Sequence, residues 1–196
     1  ASKWCFYIDH NPYGDCPMST LSVDTIQGKT TAGTVAMPAG MIVQTAYSSI
    51  TTKVASSASS ANVTLMSADP FTPKFANSHI HIILNMHFGK YNPNGGLQIV
   101  RAISGGATTN GIGDVPTEYS GGDGFISFDE FALNTNDDNY TIMQMGGYVV
   151  DTNHNTTSAI TYTLRATSCD EIYFNSAKIT ENGNARSSIT LMEIKQ

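Results

Sequence analysis

Ser187-Ser188-Ile189-Thr190-Leu191-Met192-Glu193-Ile194 reads as an apolar strand that runs almost to the last residue of a 196-residue chain. A strand so placed implies that the chain end is paired into a sheet rather than frayed. Earlier stands Val150-Asp151-Thr152-Asn153-His154-Asn155-Thr156-Thr157-Ser158-Ala159-Ile160-Thr161-Tyr162-Thr163, a polar turn that becomes an alternating strand. In that strand Ile160, Tyr162 and Leu164 face one way, and Thr161, Thr163 and Arg165 the other. Closure on two such blocks predicts a β fold.

Working outward, Ser78 to Phe88 is the clearest strand of the chain. Ile80, Ile82, Leu84, Met86 and Phe88 share one face; His79, His81, Ile83, Asn85 and His87 share the other. The first face suits a core. The second is too polar for a dry core and too apolar for open water. Further strand character lies in Gly40–Val54, Val63–Met66, Leu97–Ile103, Phe125–Leu133, Tyr140–Val150 and Glu171–Asn175. Asn92-Pro93-Asn94-Gly95-Gly96 reads as a hairpin turn, and Ser104 to Gly124, with seven glycines, as a long loop without structure. No window sustains a 3.6-residue period, so helices should be few. Strands at this spacing predict an all-β, antiparallel two-sheet jelly-roll sandwich of four strands a side.

Charged residues are 13% of the chain, against roughly 25% in ordinary soluble domains. The surface must therefore be Ser, Thr, Asn and Gly, or be covered by neighbours. Sixteen acids against ten bases give a net charge of −6 with no basic stripe. Nucleic-acid binding, which needs clustered Lys and Arg, is not expected. Nothing approaches the ~20 apolar residues of a membrane span, so no membrane insertion is expected, and no signal-peptide pattern opens the chain. Ala1 is a residue that commonly follows a removed initiator Met, which suits a protein made in a cytoplasm. Cys5, Cys16 and Cys169 make no disulfide framework and read as free thiols. The Asn-x-Thr sequons at Asn62, Asn139 and Asn155 read as turn chemistry.

Residues 1–19 stand apart, with Trp4, Phe6, Tyr7 and Tyr13 in one short stretch. A hairpin about Asn11-Pro12-Tyr13-Gly14 leaves Cys5 out of register with Cys16, so a disulfide between them is neither excluded nor implied. The arm either packs onto its own domain or anchors the protein to a neighbour, since Trp and Tyr dominate interface hot spots.

The order of these blocks carries a resemblance. Gly40-Met41-Ile42-Val43-Gln44, then Ser78 to Phe88, then Asp151 to Tyr162, then Ser188 to Ile194 resembles the jelly-roll head domains that end many bacteriophage fibre and other virion surface proteins. Such heads are similar to tumour-necrosis-factor-like trimers. The resemblance spans roughly residues 36–196, and the loop from Ser104 to Gly124 has no counterpart in it. It implies a jelly-roll head over residues 40–196, assembled as a homotrimer. An arm and connector over residues 1–39 would attach the head to other virion proteins of the capsid or tail.

His79-Ile80-His81 is the sharpest chemical pattern. Two His at i and i+2 on a strand point the same way and can share a metal, with His87 further along the same face. Around a three-fold axis the pairs would supply six imidazoles. The simpler reading is that these His fill a half-polar interface with hydrogen bonds, and no metal or other cofactor is expected. Cys5, His10 and Cys16 lack zinc-site spacing, and Asn134-Thr135-Asn136-Asp137-Asp138 lacks the Gly and Glu of a calcium loop. No nucleophile elbow, phosphate loop or His-Glu-x-x-His is present, and nothing makes Asp123, Asp129 and Glu130 converge. An enzyme is not expected. Two functions remain. One is a trimeric decoration protein of the virion, made in the host cytoplasm. The other is a receptor-binding head that recognises a host surface glycan or protein, for which Asn110, Asp114, Glu118 and Tyr119 of the glycine-rich loop are the candidate contacts.

Overall fold

The computed structural model describes residues 38–56, 61–92, 94–113, 126–129, 142–169, 171–177 and 185–196. The chain divides into two units, Ala1–Ala36 and Met37–Gln196, and every described residue lies in the second. The described strands are β1 (Ile42–Ile50), β2 (Val54–Ser56), β3 (Ala61–Ser67), β4 (His79–Asn92), β5 (Asn94–Ile103), β6 (Thr108–Thr109) and β7 (Ile126–Asp129), followed by β8 (Met143–Asp151), β9 (Ile160–Cys169), β10 (Glu171–Phe174) and β11 (Ser187–Ile194). No helix occurs among the described residues.

All pairings are antiparallel and form two sheets. The first runs β1-β11-β4-β8, and β10 and β2 extend it along the second half of β4. The second runs β3-β9-β5, with β6 and β7 sharing the far edge of β5. Consecutive long strands therefore alternate between sheets, which is the order of a jelly roll. The fold class read from the sequence is the fold observed. Each sheet is four strands wide, but split edges give the first six strands and the second five.

Two local readings need correction. Asn92 to Gly96 does not close a hairpin: β4 ends in the first sheet, β5 begins in the second, and each pairs with other strands. Turn residues fix where a chain reverses, while burial of both inner faces decides which sheet the next strand joins. The first half of the glycine-rich loop is also structured. Thr108 and Thr109 pair with Ala102 and Arg101. Ile112 donates its N–H to Ile99 O at 3.0 Å and buries its side chain in the core. One apolar residue in a glycine-rich segment was enough to pin it, because leaving Ile112 in water would forgo about 1.5–3 kcal/mol.

The core follows the alternation of the strands. Ile80, Ile82, Leu84, Met86 and Phe88 of β4 point inward, as do Ile189 and Leu191 of β11. Facing them are Leu97 and Ile99 of β5 and Ile160, Tyr162 and Leu164 of β9. Phe88 meets Phe174 edge to face, with ring centroids 5.2 Å apart. Asn175, fully buried at φ 59°, ties the strand ends together. Its amide donates to Ile50 O and Thr52 O, and its side-chain oxygen accepts from Ser187 Oγ at 2.6 Å. Short Asn side chains tolerate this left-handed backbone better than most. Gly89 lets the following segment cross β4, for a Cβ there would lie 2.1 Å from Ser176 O. The last strand extends past its end, with Gly40 N–H donating to Lys195 O and Lys195 N–H to Met41 O.

Candidate functional site

The two outer faces of the sandwich differ in chemistry. On the second sheet Thr64 and Ser67 of β3, Thr161, Thr163 and Arg165 of β9 and Gln98 of β5 point away from the core, as their register with inward neighbours requires. That face is hydroxyl-rich; Ser67 Oγ and Thr163 Oγ1 lie 2.9 Å apart, and Arg165 bonds Gln98. The first sheet presents the mixed side of β4. Its register sets out rows across four strands. One row is Tyr47, Thr190, Ile83 and Tyr148. The row below it is Ser49, Ser188, Asn85 and Gly146, and the row above is Thr45, Met192, His81 and Val150.

Tyr47 is 62% exposed, Tyr148 58% and Ile83 38%, so the middle row stands as an aromatic ridge in solvent. Ile42, half exposed, continues the apolar surface at the end of β1. Among the described side chains, no outward position of β1, β11, β8 or the His79–His87 stretch of β4 carries Lys, Arg, Asp or Glu. Exposed apolar surface gathered on one uncharged face marks an interaction site more often than scattered apolar residues do. Beside the ridge Gln144 Nε2 donates to Asn85 Oδ1 at 2.8 Å, and Gly146 has no side chain at all.

His79, His81 and His87 all lie on this face, as the alternation requires. The structure does not gather them into a ligand set. His81 Nδ1 bonds the Tyr148 hydroxyl, and the two rings pack at 5.7 Å. Burial, and then the neighbouring His79, hold the His81 imidazole below its usual pKa. His87 Nδ1 is buried without a hydrogen-bond partner. Among the described residues no three of His, Cys, Asp and Glu come together as a metal site would require. The pair is better described as the polar flank of the ridge.

Trp4, Phe6, Tyr7, Tyr13, Cys5 and Cys16 lie outside the described residues, as do Asp114, Glu118 and Tyr119. So do Asp123, Glu130 and the run from Asn134 to Asp138. Asn110 is exposed, at the end of the short β6 hairpin.

Two buried polar clusters went unread in the sequence. In the first, Asp151 of β8 takes both carboxylate oxygens to Arg101 Nη1, at 2.7 and 2.8 Å, and accepts from Tyr162 at 2.8 Å. Arg101 and Tyr162 stand opposite each other on β5 and β9, so the cluster joins the two sheets. Burial, with the Asp151 charge second, pushes the Tyr162 hydroxyl well above its usual pKa.

In the second cluster, Glu193 is fully buried on the inner side of β11. It accepts from Lys74 N–H and Phe75 N–H at 2.9 Å, from Ser78 Oγ at 2.7 Å and from Gln44 Nε2 at 2.6 Å. Ser78 also lies 3.2 Å from His154 Nε2. A serine, a histidine and a carboxylate so close invite a catalytic reading, which the geometry denies. The carboxylate holds Ser78 rather than orienting His154, and none of the three exceeds 3% exposure. A substrate has no route to the hydroxyl. Asp151, Tyr162 and Glu193 of the closing blocks are thus sheet fasteners.

Compared with known proteins, the chain matches no family model and no curated protein.

Proposed function

We propose that this chain is a non-enzymatic structural protein of a bacteriophage virion, working as a homotrimer on the particle surface and attached through residues 1–39. The observation that carries the reading is the uncharged aromatic face of the first sheet, on β1, β11, β4 and β8. An isolated protein with 13% charged residues can ill spare an exposed row of two tyrosines and an isoleucine on one sheet face unless a neighbour covers it. The jelly-roll order agrees with the fold that the sequence resemblance implies, and the virion setting rests on that resemblance.

Copy number on purified particles tests the reading. Hundreds of copies on the capsid are expected. A handful at the tail would replace decoration with the receptor-binding head, and absence from particles would end the virion reading. Deleting residues 1–19 should abolish attachment while leaving a soluble trimer; attachment that survives the deletion would remove the arm from the mechanism.

A further inference from the structure

We infer that Asn110 is a site of self-modification: the Gly111 backbone nitrogen displaces its side-chain amide, and water resolves the product to aspartate or isoaspartate. The first observation is a break in register. Arg101 pairs with Thr109 and Ala102 with Thr108, so the same ladder continued would set Gly111 opposite Ile99. Ile99 O instead accepts the Ile112 N–H at 3.0 Å. Gly111 is bulged out at φ 75°, a backbone that glycine adopts at no steric cost. Its own N–H has no backbone acceptor among the described residues.

The second observation is the neighbour. Asn110 is exposed, and among the described residues no hydrogen bond holds its amide. Glycine adds no side chain to screen the attack. A nucleophile and an electrophile this close along the chain react readily when nothing else engages either. The reaction balances with water alone. Gly111 N bonds to Asn110 Cγ, the Cγ–Nδ2 bond breaks, and the N–H proton leaves with the amine as ammonia. Water then opens the cyclic imide. Attack at Cγ gives aspartate; attack at the former backbone carbonyl gives isoaspartate, with the chain rerouted through Cγ.

Isoaspartate lengthens the backbone by a methylene between Thr109, held on β5, and Ile112, pinned in the core. The far side has no slack, since a Cβ on Gly113 would lie 2.6 Å from Val149 Cγ1. The modification should therefore loosen Ile112. The same dipeptide at Asn94-Gly95 makes an internal comparison. It is held in the β5–β7 ladder, Asn94 opposite Asp129 and Gly95 opposite Phe128.

Peptide mapping by mass spectrometry of the full chain, aged at mildly alkaline pH, tests the site. While the chain is folded, Asn110 should convert roughly tenfold or more faster than Asn94. In urea the two should convert at similar rates. Equal rates in the folded chain, or an Asn110 slowed by folding as much as Asn94, overturn the site. Thermal melts test the consequence. Aged wild type should melt a few degrees below fresh wild type, while aged Asn110→Gln keeps its midpoint. Asn110→Asp carries the new charge without the longer backbone and should melt like fresh wild type. An Asn110→Asp that melts as low as the aged chain, or a converted chain that melts like the fresh one, overturns the loosening of Ile112.

Discussion

Tyr162 donates its hydroxyl to Asp151 across the sandwich at 2.8 Å, joining a strand of the second sheet to one of the first. Arg101 completes the buried group as the counterion of Asp151. Tyr162→Phe removes one hydrogen bond to a charged group and should cost about 1.5–3 kcal/mol. Asp151→Ala leaves Arg101 buried without its partner and should cost about 3–5 kcal/mol. Urea unfolding midpoints of the two variants should fall in that order.

The raised Tyr162 pKa has a consequence in alkali. The unfolded chain loses this proton near the ordinary tyrosine value of about 10, while the folded chain keeps it. The associated stability is complete below that pH and drains away as pH rises above it. Ultraviolet titration should show one tyrosine that ionises only with unfolding, and Tyr162→Phe should abolish that step.

His81 behaves oppositely. Its folded pKa lies below the unfolded value of about 6.5 through burial and the proximity of His79. Between those values the unfolded chain binds more protons, so the contribution is present above about pH 6.5 and lost as pH falls through the folded pKa. Thermal melts between pH 7.5 and 5 should decline less for His81→Gln than for wild type. Equal slopes would show that His81 does not carry this dependence.

Glu193→Ala would take the shared acceptor from the Lys74 and Phe75 N–H groups, while Ser78 and Gln44 would keep only Phe75 O and Thr72 O as acceptors. The expected loss is about 3 kcal/mol or more. Differential scanning calorimetry should show a lower Tm without loss of the β-sheet spectrum at low temperature.

Gly89 and Gly146 make a matched pair of substitutions. Gly89→Ala places a methyl 2.1 Å from the backbone Ser176 O, where nothing flexible can yield, and should prevent folding or leave little stability. Gly146→Ala meets no such obstacle and should leave the monomer's unfolding midpoint unchanged or slightly raised.

The fold was legible where side chains alternate cleanly. Ile80 to Phe88 and Ile160 to Leu164 each placed their inward residues correctly, because a period of two leaves one choice of face. The histidine side of β4 was equally readable as the outward, mixed face of that strand. The buried clusters were not. Asp151, Arg101 and Tyr162 sit on three strands, and Ser78, His154 and Glu193 come from well-separated stretches. Nothing local in a sequence tells a solvated acid from one that closes a cross-sheet bond. Ile112 was hidden for another reason: its glycine-rich neighbours promised a free loop, and one burial overrode them. Gly146 carried no signal, since its meaning depends on what a Cβ would touch.

The pairing of β11 between β1 and β4 has a temporal side. Until Ile194 has been synthesised, the first sheet has a gap where its middle strand belongs, and β1 has no described partner. At ordinary translation rates that wait is about 10–30 s, followed by a slow, non-local closure. Thr190 and Ser188 arrive in the same stretch, so the outward rows of the first sheet stay incomplete until that moment.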